Sequence, residues 1–176
     1  MKKFMKEWFP YIAIIIIVIL IRSFIITPVI VRGDSMYKTL KDGEALLLSK
    51  ISYKLEEIKR FDIVVIKDID NDLIIKRVIG LPGDTVKYEE DTLYINDKPI
   101  KESYTNYIMD DFDVNDICKI NDLKCNNVIP KDMYLVLGDN REVSADSRVK
   151  GLIQRKQILG KAVFRIWPLN KISKVS

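Results

Sequence analysis

With 176 residues, 48% of them apolar and 31% charged, the chain has room for one globular domain and a short appendage. The net charge is only +4, and acidic residues are interleaved with the basic ones, so no basic stripe points to nucleic acid. There is no histidine, which excludes imidazole-based catalysis and most zinc sites, and two cysteines alone make no metal site; a hydrolase built from this chain must take its base from a lysine, a carboxylate or the N-terminal amine.

Lys2, Lys3 and Lys6 precede an apolar run from Trp8 to Ile26 that only Arg22 interrupts with charge. A run of about 20 apolar residues can span a bilayer as a helix. Arg22 would snorkel to a headgroup, and Pro10 would sit in the first helical turn. The positive-inside rule then puts residues 1–7 in the cytoplasm, the span at 8–26 and residues 27–176 outside. Ala13 is the only alanine of the run, so no Ala-x-Ala-like cleavage site follows it, which favours an uncleaved anchor over a removable signal.

Pro28 is predicted to end the helix. Extended segments follow at Val29 to Val31, Glu44 to Lys50, Asp62 to Lys67 and Leu73 to Ile79. Leu81-Pro82-Gly83-Asp84 reads as a turn, and Thr85 to Tyr88 and Thr92 to Ile95 as two strands. Asn96-Asp97 marks another turn before Lys98-Pro99-Ile100. Residues 104–127 are polar and weakly periodic and read as a loop region, so 98–130 forms a smaller insert. Asp132 to Leu137 and Ile158 to Trp167 are the last strands. The class is mainly β. On this topology Cys118 and Cys125 face an oxidising side and are expected to pair, with two free thiols as the alternative.

Three segments carry candidate chemistry. Ser35 follows Gly33-Asp34, where a sharp turn can present a hydroxyl beside a free backbone N–H; an ordinary polar turn is the other reading. Lys76 lies in the apolar strand Leu73-Ile74-Ile75-Lys76-Arg77-Val78-Ile79. Desolvation there lowers a lysine from about 10.4 toward the ~7–8 of a working base, whereas a lysine snorkelling at a sheet edge would stay charged. Gly138-Asp139-Asn140-Arg141-Glu142-Val143-Ser144-Ala145-Asp146-Ser147-Arg148 is a loop whose alternating charges can pair and fix its shape.

Taken together, Gly33-Asp34-Ser35-Met36 with Thr39-Leu40, then Ile75 to Asp84, then Gly138 to Arg141 with Ser144 to Arg148, resemble in order the sequence boxes of bacterial type I signal peptidases. Gly160 to Phe164 with Trp167-Pro168 is similar to that family as well. The resemblance implies an antiparallel β-sheet catalytic domain behind one transmembrane helix, and a membrane-bound serine endopeptidase without cofactor or metal. It would remove signal peptides from exported preproteins, cutting after small side chains, on the outer face of the cell membrane near the export translocon. Ser35 would be the nucleophile, with its own backbone N–H serving the oxyanion, and Lys76 the general base. Ser144 would hydrogen-bond and orient Lys76. Arg77 with Asp139, and Asp146 with Arg148, would hold the site's walls. Val31, Met36, Leu40, Val65 and Ile75 would form shallow substrate pockets.

Two positions depart from the family's pattern: Lys38 stands where a proline is usual, and Gly33 where some members carry an oxyanion-donating serine. A self-cleaving repressor-type Ser–Lys protease would share this core but would carry a DNA-binding domain in place of the apolar run. A tethered binding module without activity is the non-enzymatic alternative.

Overall fold

The computed structural model describes residues 2–69, 71–105 and 109–175, with the side chains of 2–7, 20–24 and 54–55 outside the description. In chain order the elements are helix α1 (Lys2–Phe24), strands β1 (Ile26–Ile30) and β2 (Ala45–Ser49), a single turn α2 (Ser52–Leu55), β3 (Ile63–Lys67), β4 (Leu73–Gly80), β5 (Val86–Glu89), β6 (Thr92–Ile95), β7 (Lys98–Ile100), β8 (Phe112–Asp113), helix α3 (Val114–Ile120), β9 (Met133–Leu137), a single turn α4 (Ser147–Lys150), β10 (Ile153–Gln154), β11 (Ile158–Trp167) and β12 (Ser173–Lys174). The mainly β class follows directly from this order.

The helix bounds differ from the expected span over 8–26. The helix runs over 23 residues, 2–24, and among the described residues no helix is long and apolar enough to cross a membrane. The expected snorkelling of Arg22 falls on a side chain outside the described residues. Pro10 lies inside the helix rather than in its first turn, where it removes one backbone donor. The helix stops before Pro28 because the sheet claims the chain earlier. Ile25 accepts a hydrogen bond from the Lys50 N–H at 2.9 Å, and Ile26 is already paired with Ser49. Pro28 itself sits in β1, at the edge of the sheet, where its missing donor costs no ladder bond on the open side.

The larger sheet has the order β1-β2-β11-β3-β4-β9-β10, with β12 beside β11, and all its pairings are antiparallel. β3 and β4 are central and covered on both faces. That is why they read as continuous apolar runs rather than alternating ones. Val31, Met36, Leu40, Leu46, Val65 and Ile75 belong to one buried cluster, and Val64, Ile66, Val78, Val136 and Ile158 to another. Each such side chain contributes about 1.5–3 kcal/mol on burial. The smaller sheet, β7-β6-β5-β8, packs with α3 over a third cluster around Ile79, Leu93, Ile117 and Leu137. Residues 98–100 are thus the third strand of a sheet that begins at Val86.

Part of the region read as a loop is helical. In α3 the Asp113 side chain accepts from the Asp116 N–H while the Asp116 side chain accepts from the Asp113 N–H, a capping box. Cys118 and Cys125 form a disulfide, with Cα atoms 6.2 Å apart.

Candidate active site

Ser35 sits in a tight turn between β1 and β2. Gly33 adopts φ +75°, a left-handed conformation that leaves its N–H free to donate to Asp42 Oδ1 at 2.7 Å. The next residue after Ser35, Met36, is fully buried and pins the turn to the core. Lys76 reaches the turn from β4, where it is paired with Val64 of β3 just before β4 also pairs with β9. Its side chain is only 3% exposed, and its Nζ donates to Ser35 Oγ at 2.7 Å. Desolvation pulls Lys76 down from 10.5 to about 8; the carboxylates of Asp146, Asp139 and Asp68 push it up, and the Lys150 ammonium pushes it further down. A neutral amine at this distance can take the serine proton, which an ordinary lysine at neutral pH cannot.

The third loop closes over the pair. Arg77 grips Asp139 with two parallel hydrogen bonds, Nε to Oδ1 at 2.9 Å and Nη2 to Oδ2 at 2.8 Å, both side chains almost wholly buried. Thr39 adds its hydroxyl to Asp139, tying the Ser35 turn to the same carboxylate. Removing one partner of such a buried pair costs about 3–5 kcal/mol, because the other charge is left without solvent or partner. Asp146 accepts from the Gly138 N–H at 3.0 Å and from Arg148 Nε at 2.9 Å, and it caps α4. The Asn140 N–H donates to the Ser35 carbonyl at 3.0 Å, joining the loop to the turn.

Ser144 departs from expectation. Its Oγ is buried with no hydrogen-bond partner, so the expected bond to Lys76 is not formed. It packs instead against Gly138. A Cβ added there would stand 2.2 Å from Ser144 Oγ and 2.5 Å from the Ser35 carbonyl, so only glycine lets the two strands of chain approach. Asn140 Oδ1 is likewise buried and unpartnered. Orphaned buried polar atoms cost roughly 1–3 kcal/mol each, and two of them in one loop beside Ser35 mark a segment not optimised for stability alone.

Val31, Met36, Leu40, Val65 and Ile75 all lie in the cluster beneath the Ser35 turn, between 0% and 7% exposed. They are core side chains in this structure rather than an open surface. Reasoning from sequence missed Glu102, Tyr104, Asp68 and Lys150, each of which touches the site's supports. The Lys150 ammonium pairs with Asp68, linking α4 to the turn after β3. Spacing offered no signal for that contact, since its partners are 82 residues apart.

The antiparallel β scaffold that brings this serine and lysine together is similar to that of known proteins. The signal peptidase family, peptidase S26, matches residues 5–167. Signal peptidase IB of Staphylococcus aureus is 46% identical over 97% of this chain and 94% of its own length. Signal peptidase I of Bacillus licheniformis is 41% identical over 98% and 94%. The crystal structure of a signal peptidase I from Enterococcus faecalis V583 is similar with a TM-score of 0.51 and 34% identity, covering 60% of this chain and 97% of that one. The protein is a hydrolase of the serine endopeptidase class. More narrowly, the chain belongs to the signal peptidase family, S26.

Proposed function

We propose that this protein removes signal peptides from exported preproteins through a Ser35–Lys76 dyad. The observation that carries this reading is the 2.7 Å contact from Lys76 Nζ to Ser35 Oγ, made by a lysine that burial lowers to about 8 and so leaves partly neutral near that pH. Neutral Lys76 accepts the Ser35 proton as Oγ attacks the scissile carbonyl. The backbone N–H of Ser35 faces the developing oxyanion. Protonated Lys76 then gives its proton to the leaving amine, which departs as the N-terminus of the mature protein. A water, deprotonated by the same amine, releases the signal peptide from Ser35.

On this reading the Ser144 hydroxyl, unpartnered in the resting site, swings to the amine and orients it during turnover. Arg77 with Asp139 and Asp146 with Arg148 keep the third loop against the dyad. The buried residues Val31, Met36, Leu40, Val65 and Ile75 shape the floor beneath the substrate, which favours small side chains before the cut.

Helix α1 serves as the membrane anchor. Trp8, Phe9, Tyr11, Ile12 and Ile14 to Ile19 are all more than half exposed, an apolar surface that water would not leave unpaired. The basic residues at its start, Lys2, Lys3 and Lys6, stay cytoplasmic, and the β domain works on the outer face beside the translocon, where substrates share its bilayer. The test is cleavage of a preprotein in detergent micelles by the full chain. Ser35→Ala and Lys76→Arg should both be inactive, the latter because a guanidinium stays protonated. Processing by Lys76→Arg at the wild-type rate would refute the dyad.

A further inference from the structure

Arg141 is 0% exposed, yet its guanidinium remains charged at any ordinary pH. Such a group is stable only if its surroundings supply partners. One comes from its own loop, since Arg141 Nε donates to the Gly138 carbonyl at 2.9 Å. The others come from the segment that follows β7. Glu102 takes both terminal nitrogens, at 2.5 and 3.2 Å, and Met109 Sδ stands 2.9 Å from Nη1. The Glu102 side chain is itself only 7% exposed, so the pair is a desolvated contact rather than a surface one.

The same segment reaches the second arginine of the site. The Tyr104 ring lies 4.2 Å from Arg77 Cζ, stacked on the guanidinium that holds Asp139, and the Tyr104 hydroxyl donates to Glu102 Oε1 at 2.8 Å. Glu102 and Tyr104 therefore act as one unit on both flanks of Asp139. From Arg141 the path to the nucleophile is one residue long, because the neighbouring Asn140 N–H holds the Ser35 carbonyl.

We propose that Glu102 and Tyr104 are positioning residues, a strap from the smaller sheet that holds the 138–141 loop and through it sets the position of Ser35 for cleavage. This deepens the Ser35–Lys76 reading and rests on it. Loss of the Glu102 charge leaves Arg141 buried without its main partner. The guanidinium then turns outward and carries Asn140 away from Ser35. Of the substrate floor, Val65 on β3 and Ile75 on β4 lie outside this path, and Val31, Met36 and Leu40, on either side of Ser35, are held independently by the buried cluster. The defect therefore falls on turnover rather than on binding.

The experiment compares full-length wild type, Glu102→Gln, Tyr104→Phe and Ser35→Ala in detergent micelles. It measures kcat and KM on a preprotein and hydrogen exchange at the Asn140 amide, at a temperature where each variant is folded. Glu102→Gln should lower kcat about 10–100-fold, with KM within about twofold. The Asn140 amide should exchange at least about tenfold faster, as expected of an opened hydrogen bond. Tyr104→Phe removes one hydrogen bond and leaves the charges in place, so it should move both readouts the same way by a smaller factor. It also keeps the test decisive should Glu102→Gln not fold. Unchanged kcat, or a lower kcat with Asn140 exchange unchanged, would overturn the strap. Ser35→Ala should be inactive yet keep Asn140 protected, since the acceptor is a backbone carbonyl. An active Ser35→Ala would overturn the dyad reading, while Asn140 exchange in the other variants would still decide the strap's mechanics.

Discussion

Replacing Lys76 by methionine should give an inactive protein that is more stable than the wild type, by an amount that depends on pH. The sign follows from the direction of the shift. Burial lowers Lys76 from 10.5 to about 8, so between those values the unfolded chain binds a proton that the folded chain does not. Folding is therefore penalised most below pH 8, and the penalty fades as pH rises toward 10.5. A shift of this size corresponds to about 3 kcal/mol at pH 7 and about 1 kcal/mol at pH 10. Methionine fills similar volume and has no charge to desolvate. Against this stands the lost hydrogen bond to Ser35 Oγ, worth about 1 kcal/mol. The net gain should be about 2 kcal/mol at pH 7 and close to zero at pH 10. Urea unfolding of the full chain in detergent at the two pH values measures it. A variant less stable than wild type at pH 7, or a difference that does not shrink by pH 10, would refute desolvation as the cause of the low lysine pKa.

The pH profile offers a second test. The acid limb of kcat/KM should lie near pH 8; Lys150→Met should move it up and Asp68→Asn should move it down, each by up to about one unit, because the first removes a repelling cation and the second an attracting carboxylate. Lys38 holds φ +86°, a conformation that costs a side-chain residue about 1–2 kcal/mol, so Lys38→Gly should raise stability by about 0.5–1 kcal/mol after the added chain entropy, read as a shift in the urea midpoint. Ser144→Ala should leave stability unchanged or slightly raised, since an unpartnered hydroxyl is lost, but should lower kcat ~10–100-fold if that hydroxyl orients the amine; wild-type turnover would remove Ser144 from the site.

Much of the large sheet could be read from the chain because its strands are short apolar runs bounded by turn residues. Ile63–Lys67 and Leu73–Gly80 are found nearly where the pattern puts them. The Ser35–Lys76 contact joins residues 41 apart, and the motif order rather than any local rule made it foreseeable. Helix α3 escaped notice because seven residues give barely two turns. Its apolar positions Val114, Ile117 and Cys118 are diluted by polar neighbours, although Asp113 and Asp116 carried the capping signal. The helix end was misplaced for a different reason. Pro28 is a strong local breaker, but the sheet captured Ile26 before the proline acted, a tertiary choice that local propensity does not encode. Glu102 and Tyr104 look like ordinary polar surface in sequence. Their meaning depends on where Arg77 and Arg141 fold.

The junction between α1 and β1 has a mechanical consequence. A single residue, Ile25, separates the two elements, and its carbonyl is already bonded to Lys50. No slack exists between the helix end and the sheet, and Ser35 follows eleven residues after Phe24. Even fully extended, that path reaches no more than about 40 Å. On the anchored reading, the protein behaves as a fixed-height gauge: the nucleophile stands at one set distance from the lipid. A signal peptide in the same bilayer is then selected by where its scissile bond emerges as well as by the side chains that flank it.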